Sequence, residues 1–375
     1  MDRLETIYTM ALARINFFGL AGLLELYRKL GSATDVMDHR KHILEVLPDA
    51  SPRLQEALDT LDAPLERARE EYDWCQEHGI SMLCLADDGY PKRLKECADA
   101  PLVLYYKGTA DLNQRRIVSM VGTRHCTMYG DDFIRRFMAD LKEICPQLLV
   151  VSGLAYGIDV IAHREALANG YDTVGVLAHG LDTLYPSSHR DIANRMTHQG
   201  GLLTEHMSHT KPDKINFVRR NRIVAGIADC CIMVESAARG GSLITAGMAL
   251  DYGRDVFAVP GRTTDSCSEG CNNLIRDNGA SLLTCAADLV KVMGWEADAQ
   301  LAHAQSQGIE RSLFPSLSAD EQKVVDVLRQ ANDQQVNLLS VKAGMPVGKL
   351  AATLFGLEMK GMVKALAGGV YHLYQ

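Results

Sequence analysis

From residue 117 onward the chain alternates short, continuous apolar runs with segments whose apolar positions recur every three or four residues. IVSMVGTR (117–124), LLVVSGLA (148–155), TVGVLAHG, GLLTEH, CCIMVES, VFAVPG and ASLLT read as strands buried on both faces. The intervening DDFIRRFMADLKEI, IDVIAHREALANG, SSHRDIANRMTHQ, SLITAGMALDYG, EGCNNLIRDNG and CAADLVKVMG read as amphipathic helices. Such alternation predicts an α/β fold, a doubly wound, Rossmann-like parallel sheet with helices on both faces. ISMLCLA and LVLYYKG add two strands ahead of it, which puts the sheet domain at residues 78–295.

The period differs on either side. Residues 1–77 carry apolar positions at helical spacing, as in LETIYTMALARI and GLLELYRKL, and predict an N-terminal helical domain. Within it Gly19 and Gly22 mark a helix-hairpin-helix (SAM-like) turn, or a plain helical hairpin with Phe17 and Phe18 in its core. Residues 296–317 lose all periodicity, are rich in Ala, Gln and Ser, and predict a linker. Beyond it Ser318 and Glu321 form a capping box, three helical segments follow, and VKALAGGVYHLY turns at Gly368-Gly369. Residues 318–375 therefore read as a winged helix, whose third helix offers little beyond Lys349 and Lys360 to a nucleic acid. That scarcity favours a partner protein over DNA as its ligand.

A content of 47% apolar and 23% charged residues describes a globular chain, and a net charge of -8 excludes a general basic coat for nucleic acid. Against that background Lys211–Arg222 stands out: Lys211, Lys214, Arg219, Arg220 and Arg222 against Asp213, an excess of +4 in twelve residues. Phe217 and Asn221 lie among them, and Gly240-Gly241-Ser242 follows between a strand and a helix. Cations, one aromatic face and the backbone N–H groups of a helix start can hold a sugar-phosphate backbone while a base stacks. A solvated amphipathic helix beside a structural loop is the plain alternative. Other strands also end in small residues, at Gly122-Thr123-Arg124, Ser152–Ala155 and Pro260-Gly261-Arg262, and the carboxyl ends of strands are where an open α/β sheet holds its ligand.

Enzyme signatures are missing. The chain has no G-x-x-x-x-G-K-[ST], no G-x-G-x-x-G after its first strand and no G-x-S-x-G. Asp159 and His163, four apart on one helix face, read as a structural hydrogen-bonded pair. Ten cysteines without a C-x-x-C pair read as reduced and mostly buried, and Cys267 and Cys271 lack a second pair of ligands. No catalysis, cofactor or metal is expected. With no signal region and no apolar run of membrane-span length, the protein is expected in the cytoplasm.

In order along the chain, VGTRHCTMYG, VSGLAYGIDVIAH, LAHGLDTLYPSSH, TEHMSHTKPDKINFVRRNRIVAGIA, ESAARGGSLITAGMAL, VFAVPGR and EGCNNLIRDNGA closely resemble the DprA/Smf family of DNA-processing proteins. The match covers roughly residues 80–295 and extends more loosely to both flanks. The resemblance implies a non-enzymatic single-stranded DNA-binding protein of natural transformation. Such a protein protects incoming DNA, dimerises through its Rossmann domain and helps to load RecA recombinase, and single-strand binding protein is among the partners suggested. Carried onto these motifs, the DNA pocket comprises Arg124, Lys214, Phe217, Arg220, Asn221 and Arg222, with close contacts from Gly241, Ser242 and Asn272. ARGGS replaces the Ser-Gly-Ser type of turn common in the family and keeps its small residues. A homodimer is expected through ASLLTCAADLVKVMG, where Leu282, Leu283, Leu289, Val290 and Met293 form an apolar run. The alternative from another class is a phosphoribohydrolase-like nucleotide-processing enzyme on a related fold. Its P-G-G-x-G-T-x-x-E motif has no counterpart here, because no Glu stands at the catalytic place after Gly240-Gly241.

Overall fold

The computed structural model describes residues 2–15, 20–48, 51–295, 317–360, 362–366 and 368–373. The expected hairpin turn at Phe17, Phe18 and Gly19 lies outside the described residues, as does the expected linker up to residue 316. The chain divides into two compact units, residues 1–299 and 300–375.

Among the described residues of the first unit, nine strands form one sheet. They are β1 (Ser81–Cys84), β2 (Val103–Gly108), β3 (Ile117–Gly122), β4 (Leu149–Ser152), β5 (Asp172–Val176), β6 (Gly200–Thr204), β7 (Cys230–Val234), β8 (Asp255–Ala258) and β9 (Ser281–Leu282). Their spatial order is β1-β2-β6-β5-β4-β3-β7-β8-β9. Strands β3 to β9 pair in parallel, whereas β2 joins β6, and β1 joins β2, antiparallel. Each apolar run singled out in the sequence is one of these strands. The order also shows what a sequence pattern cannot, namely that β4, β5 and β6 build out from one side of β3 and β7, β8 and β9 from the other. That reversal is the switch point at which a doubly wound sheet opens a crevice beyond its carboxyl ends.

Alternation along β3 shows why both faces must be covered. Ile117 and Val121 enter one core while Val118 and Met120 enter the other, and all four are buried. The second core is closed by the helices Met128–Ile144, Ile158–Ala168 and Ala286–Val292. The first is closed by the helices Lys214–Gly226 and Ser242–Asp251 and by the N-terminal helices, whose Leu24, Leu58 and Leu65 share a continuous core with Leu104, Val151 and Val176. The helices of residues 1–77 thus pack as part of the same compact unit as the sheet.

β9 lies at the end of the strand order, where an edge was expected. The apolar run around it divides differently from the expectation. Leu283, Leu289 and Val290 are buried in the second core and Met293 packs partly against it, because the short helix Ala286–Val292 turns that side toward the Met128–Ile144 helix. Leu282 and Val292 stay open to solvent, 50% and 54% exposed.

In the second unit, Ser318 and Glu321 make the expected reciprocal capping box at the start of the helix Ala319–Gln330. Helices Val336–Lys342 and Val347–Met359 follow, and β11 (Val363–Leu366) pairs with β12 (Val370–Leu373). A short strand, β10 (Gln334–Gln335), pairs with β12 and completes the winged helix; its two residues are too few to carry a pattern. Among the described residues no single helix is long and apolar enough to cross a membrane.

The base of the sheet is tied by Asp229. Its carboxylate accepts from the Ile117 N–H at 2.7 Å and from Arg93 Nε and Nη2 at 2.6 and 2.9 Å. Asp229→Ala leaves a half-buried guanidinium and a strand N–H without that partner, so we expect a loss of about 1–3 kcal/mol of stability in urea denaturation. A loss below about 0.5 kcal/mol would assign the tie no energetic role.

Candidate nucleic-acid interface

The carboxyl ends of β3, β4 and β7 surround a cavity of about 270 Å³ at the switch point. Its walls carry Thr123 and Arg124 after β3, Gly153 and Ala155 after β4, Ser236, Ala237 and Gly240–Ser242 after β7, and Phe217, Arg220 and Asn221 from the Lys214–Gly226 helix. That helix starts where it does because Asp213, in extended conformation, accepts the Ile215 N–H at 2.7 Å and caps it. The one acid in the basic cluster is therefore its N-cap, a role that counting charges had missed.

Phe217 is the centre of the arrangement. The guanidinium carbons of Arg124 and Arg220 lie 5.6 and 6.0 Å from its ring centroid, and the Tyr185 ring lies 5.8 Å away at an interplanar angle of 55°. Arg124 is exposed, whereas Arg220 is 4% exposed. The two arginines consequently do different work. Arg220 donates to the carbonyls of Gly153 and Val176, at the ends of β4 and β5. A side chain at Gly153 would overlap the Arg220 guanidinium, so glycine is required there for the arginine to enter. Asp159 accepts the N–H groups of Gly153 and Ala155 at 3.2 and 3.4 Å. Burial pushes its carboxyl up, while the Arg220 charge and the hydrogen bonds pull it back. Burial likewise lowers Arg220, and Asp159 opposes that shift; a guanidinium holds its proton throughout, so the cavity floor keeps its positive charge.

On the opposite wall, Ser242 opens the helix Ser242–Asp251 and donates to Ser236 Oγ at 3.1 Å. A helix start here adds positive partial charge to that of the arginines. Gly240 has no room for a Cβ beside Ser236 Oγ, but Gly241 has none of the protein within 4 Å of that position and faces open space. Behind the wall Glu235, buried and at φ +57°, accepts the Thr127 N–H at 2.9 Å and so anchors the start of the Met128–Ile144 helix. A lone acid closing a strand was the only signal for it in the sequence.

Six of the nine residues singled out in the sequence line this cavity: Arg124, Phe217, Arg220, Asn221, Gly241 and Ser242. The other three lie elsewhere. Arg222 is 2% exposed and points away, pairing with Glu205 at 2.5 Å and donating to the Asp99 carbonyl at 2.6 Å, because two positions along a helix turn it through most of a half circle from Arg220. The Asn272 amide makes paired 3.1 Å bonds with the N–H and carbonyl of Gly261 and fastens the loop after β8. Lys214 is exposed on the first turn of the basic helix, outside the walls. Asp159 and His163 share a helix face without the hydrogen bond expected between them. His163 Nδ1 lies 2.7 Å from Thr173 Oγ1, and Thr173 donates onward to the Val150 carbonyl.

A largely parallel sheet that opens at its switch point onto two guanidinium groups around one phenyl ring defines a doubly wound α/β protein with a cationic, aromatic-lined cavity. The chain belongs to the DNA recombination-mediator protein A family, the DprA/Smf proteins, whose family model matches residues 81–294; the DprA winged helix domain matches residues 311–369. It is similar to the DNA processing protein DprA of Streptococcus pneumoniae, 40% identical over 206 residues that make up 55% of this chain and 72% of the relative. Protein Smf of Escherichia coli is 31% identical over 335 residues, 88% of this chain and 87% of the relative. Among solved structures, the X-ray structure of DprA from Streptococcus pneumoniae superposes with a TM-score of 0.63 at 32% identity, covering 75% of this chain and 95% of that one. DNA processing protein A from Helicobacter pylori, a structure described by its single-stranded DNA binding mode, superposes at 0.51 with 26% identity, covering 57% of this chain and 95% of that one.

His163 supplies a pH test of the buried cluster. Burial, with the Arg220 charge, lowers its pKa from 6.5 to about 3. The unfolded chain therefore binds a proton that the folded chain refuses, and stability falls as pH drops from about 6.5 toward 3, by up to about 1.4 kcal/mol per pH unit. His163→Gln should flatten that part of the stability profile measured by urea denaturation, and an unchanged slope would place the acid sensitivity elsewhere.

Proposed function

We propose that this chain binds single-stranded DNA without chemical catalysis, protects DNA entering the cell in natural transformation, and helps to load RecA recombinase onto it. The observation that carries this reading is the Arg124–Phe217–Arg220 cluster lining the switch-point cavity, with Arg220 as its floor and Arg124 exposed, an arrangement suited to hold phosphate and base together. The Helicobacter pylori relative's single-strand binding and the family's description as a recombination mediator point the same way. A nucleotide-cleaving enzyme fits less well, since the cavity carboxylate Asp159 is engaged by two backbone N–H groups and faces the Arg220 charge. The protein would act in the cytoplasm, with single-strand binding protein as a neighbour on the same strand.

The winged helix, on this reading, meets a protein rather than DNA. Its third helix keeps Lys349 and Lys360 in ion pairs with Asp320 and Glu321, at 2.6 and 2.8 Å, and exposes Val347, Phe355 and Met359.

Anisotropy titrations with oligothymidine test the reading. Arg124→Ala and Lys214→Ala should each weaken binding and lower the slope of log K against log salt by about 0.7, the value for one lost phosphate contact on a single strand. Phe217→Ala should weaken it by about 1–3 kcal/mol with the slope unchanged. Duplex bound as tightly as a single strand of equal length would overturn the proposal.

We further propose a homodimer through the β9 edge, with Leu282 and Val292 at its centre in place of the buried Leu289. Light scattering should give about twice the 41.2 kDa of one chain. Leu282→Glu with Val292→Glu should return it to one, and a wild-type mass of a single chain would end the dimer hypothesis.

A further inference from the structure

Two tyrosines beside the cavity, Tyr156 and the Tyr185 that meets Phe217, have been given no role so far. Tyr156 follows β4 and is 48% exposed; Tyr185 follows β5 and is 49% exposed. A buried histidine stands behind each, one bonding the main chain of Tyr185 and the other packing against the ring of Tyr156. The Tyr185 N–H donates to Nε2 of His179 at 3.1 Å, and His179 is 1% exposed. The Tyr156 ring stands edge-on to His189 at 5.0 Å and 73°, and His189 Nδ1 is fixed 3.0 Å from the Leu154 carbonyl. The turn that follows Tyr185 reaches Tyr156, where Ser188 Oγ lies 3.5 Å from the Tyr156 hydroxyl. Tyr185 in turn meets Phe217 at 5.8 Å. Arg124, Phe217 and Tyr185 are therefore in successive contact and Tyr156 is linked to them through Ser188, which sets half-open aromatic faces beyond the carboxyl ends of β4 and β5. An aromatic ring left half in water but packed against another ring, as Tyr185 is on Phe217 and Tyr156 on His189, has less ordering to lose when a flat partner covers it.

We propose that Tyr185 and Tyr156 are stacking platforms for the nucleotides adjoining the one held at Phe217, so that the single strand leaves the cavity across β5 and β4. The assignment rests on the single-strand reading above and deepens it by giving the strand a direction over the surface and a footprint longer than the cavity.

The test compares short and long oligothymidines, roughly 4 and 16 nucleotides, on the full chain. In the wild type, affinity should rise with length beyond what the cavity alone binds. Tyr156→Ala and Tyr185→Ala should each cut that gain by about fivefold or more, whereas the Tyr→Phe variants should retain it, because stacking needs the ring and not the hydroxyl. The salt slope should stay unchanged in all four. An undiminished length gain in both alanine variants overturns the platforms while leaving the single-strand reading intact; absence of any oligothymidine binding by the wild type removes that reading itself. Should the alanine variants fail to fold, photocrosslinking the wild type to oligonucleotides containing 4-thiothymidine decides it. Adducts on the peptides carrying Tyr156 and Tyr185 support the proposal, and adducts confined to Phe217 refute it.

Discussion

A guanidinium buried at the end of a parallel sheet is the constraint around which this molecule is arranged. Arg220 has left water almost completely, a placement that costs several kcal/mol unless its donors and its charge are met. The carbonyls of Gly153 and Val176 receive it and the Asp159 carboxylate offsets its charge. Those partners come from β4, β5 and the helix after β4, so one side chain couples two strand ends to the basic helix. The demand extends to Gly153, where any larger residue would occupy the space of the guanidinium. Arg124 and Phe217 are thereby left free to face outward on a fixed base.

The five cations of the Lys211–Arg222 stretch do not form a uniform electrostatic patch. Arg220 is structural floor, Arg222 is consumed by Glu205 and the Asp99 carbonyl, and Lys211, Lys214 and Arg219 stay exposed. Local charge excess thus overstates what a ligand meets, and it matters which cations remain in solvent. The segment leading into the helix is held from the other side as well. Glu71, buried on the last N-terminal helix, accepts the Ser208 N–H at 2.7 Å and pairs with Arg67 at 2.6 Å, while Arg67 donates to the Ser208 carbonyl at 3.0 Å. N-terminal helices that share the sheet's core in this way brace the segment that leads into the basic helix.

The winged helix uses its charge differently. Lysines that a DNA-reading helix would direct at phosphates are neutralised within the domain, and large apolar side chains are left in water. The exposed Lys349–Asp320 pair adds little stability, but it and the more buried Lys360–Glu321 pair remove positive potential that a phosphate backbone would seek. The apolar residues then dominate what that helix presents.

Much of this architecture was legible in the residues alone. Continuous apolar runs and helical periodicity located the strands of the main sheet, because a strand covered on both faces must be apolar throughout and a helix covered on one must not. Glycines at strand ends and a cluster of bases around one phenylalanine pointed to six residues that do line one cavity. The order of the strands was not legible, since the pattern of a strand is the same whichever neighbour it pairs with. Direction was hidden too: Arg220 and Arg222 look alike in sequence, yet their angular separation on the helix sends one to the cavity and the other to Glu205. Leu289 and Leu282 read as equivalent apolar positions until a short helix turned the first inward and the sheet edge left the second in water. Local pattern determined which elements form, whereas the directions in which side chains point, and the company they keep across distances of tens of residues, were decided by tertiary packing, because burial of charge and apolar area is settled only when all the elements meet.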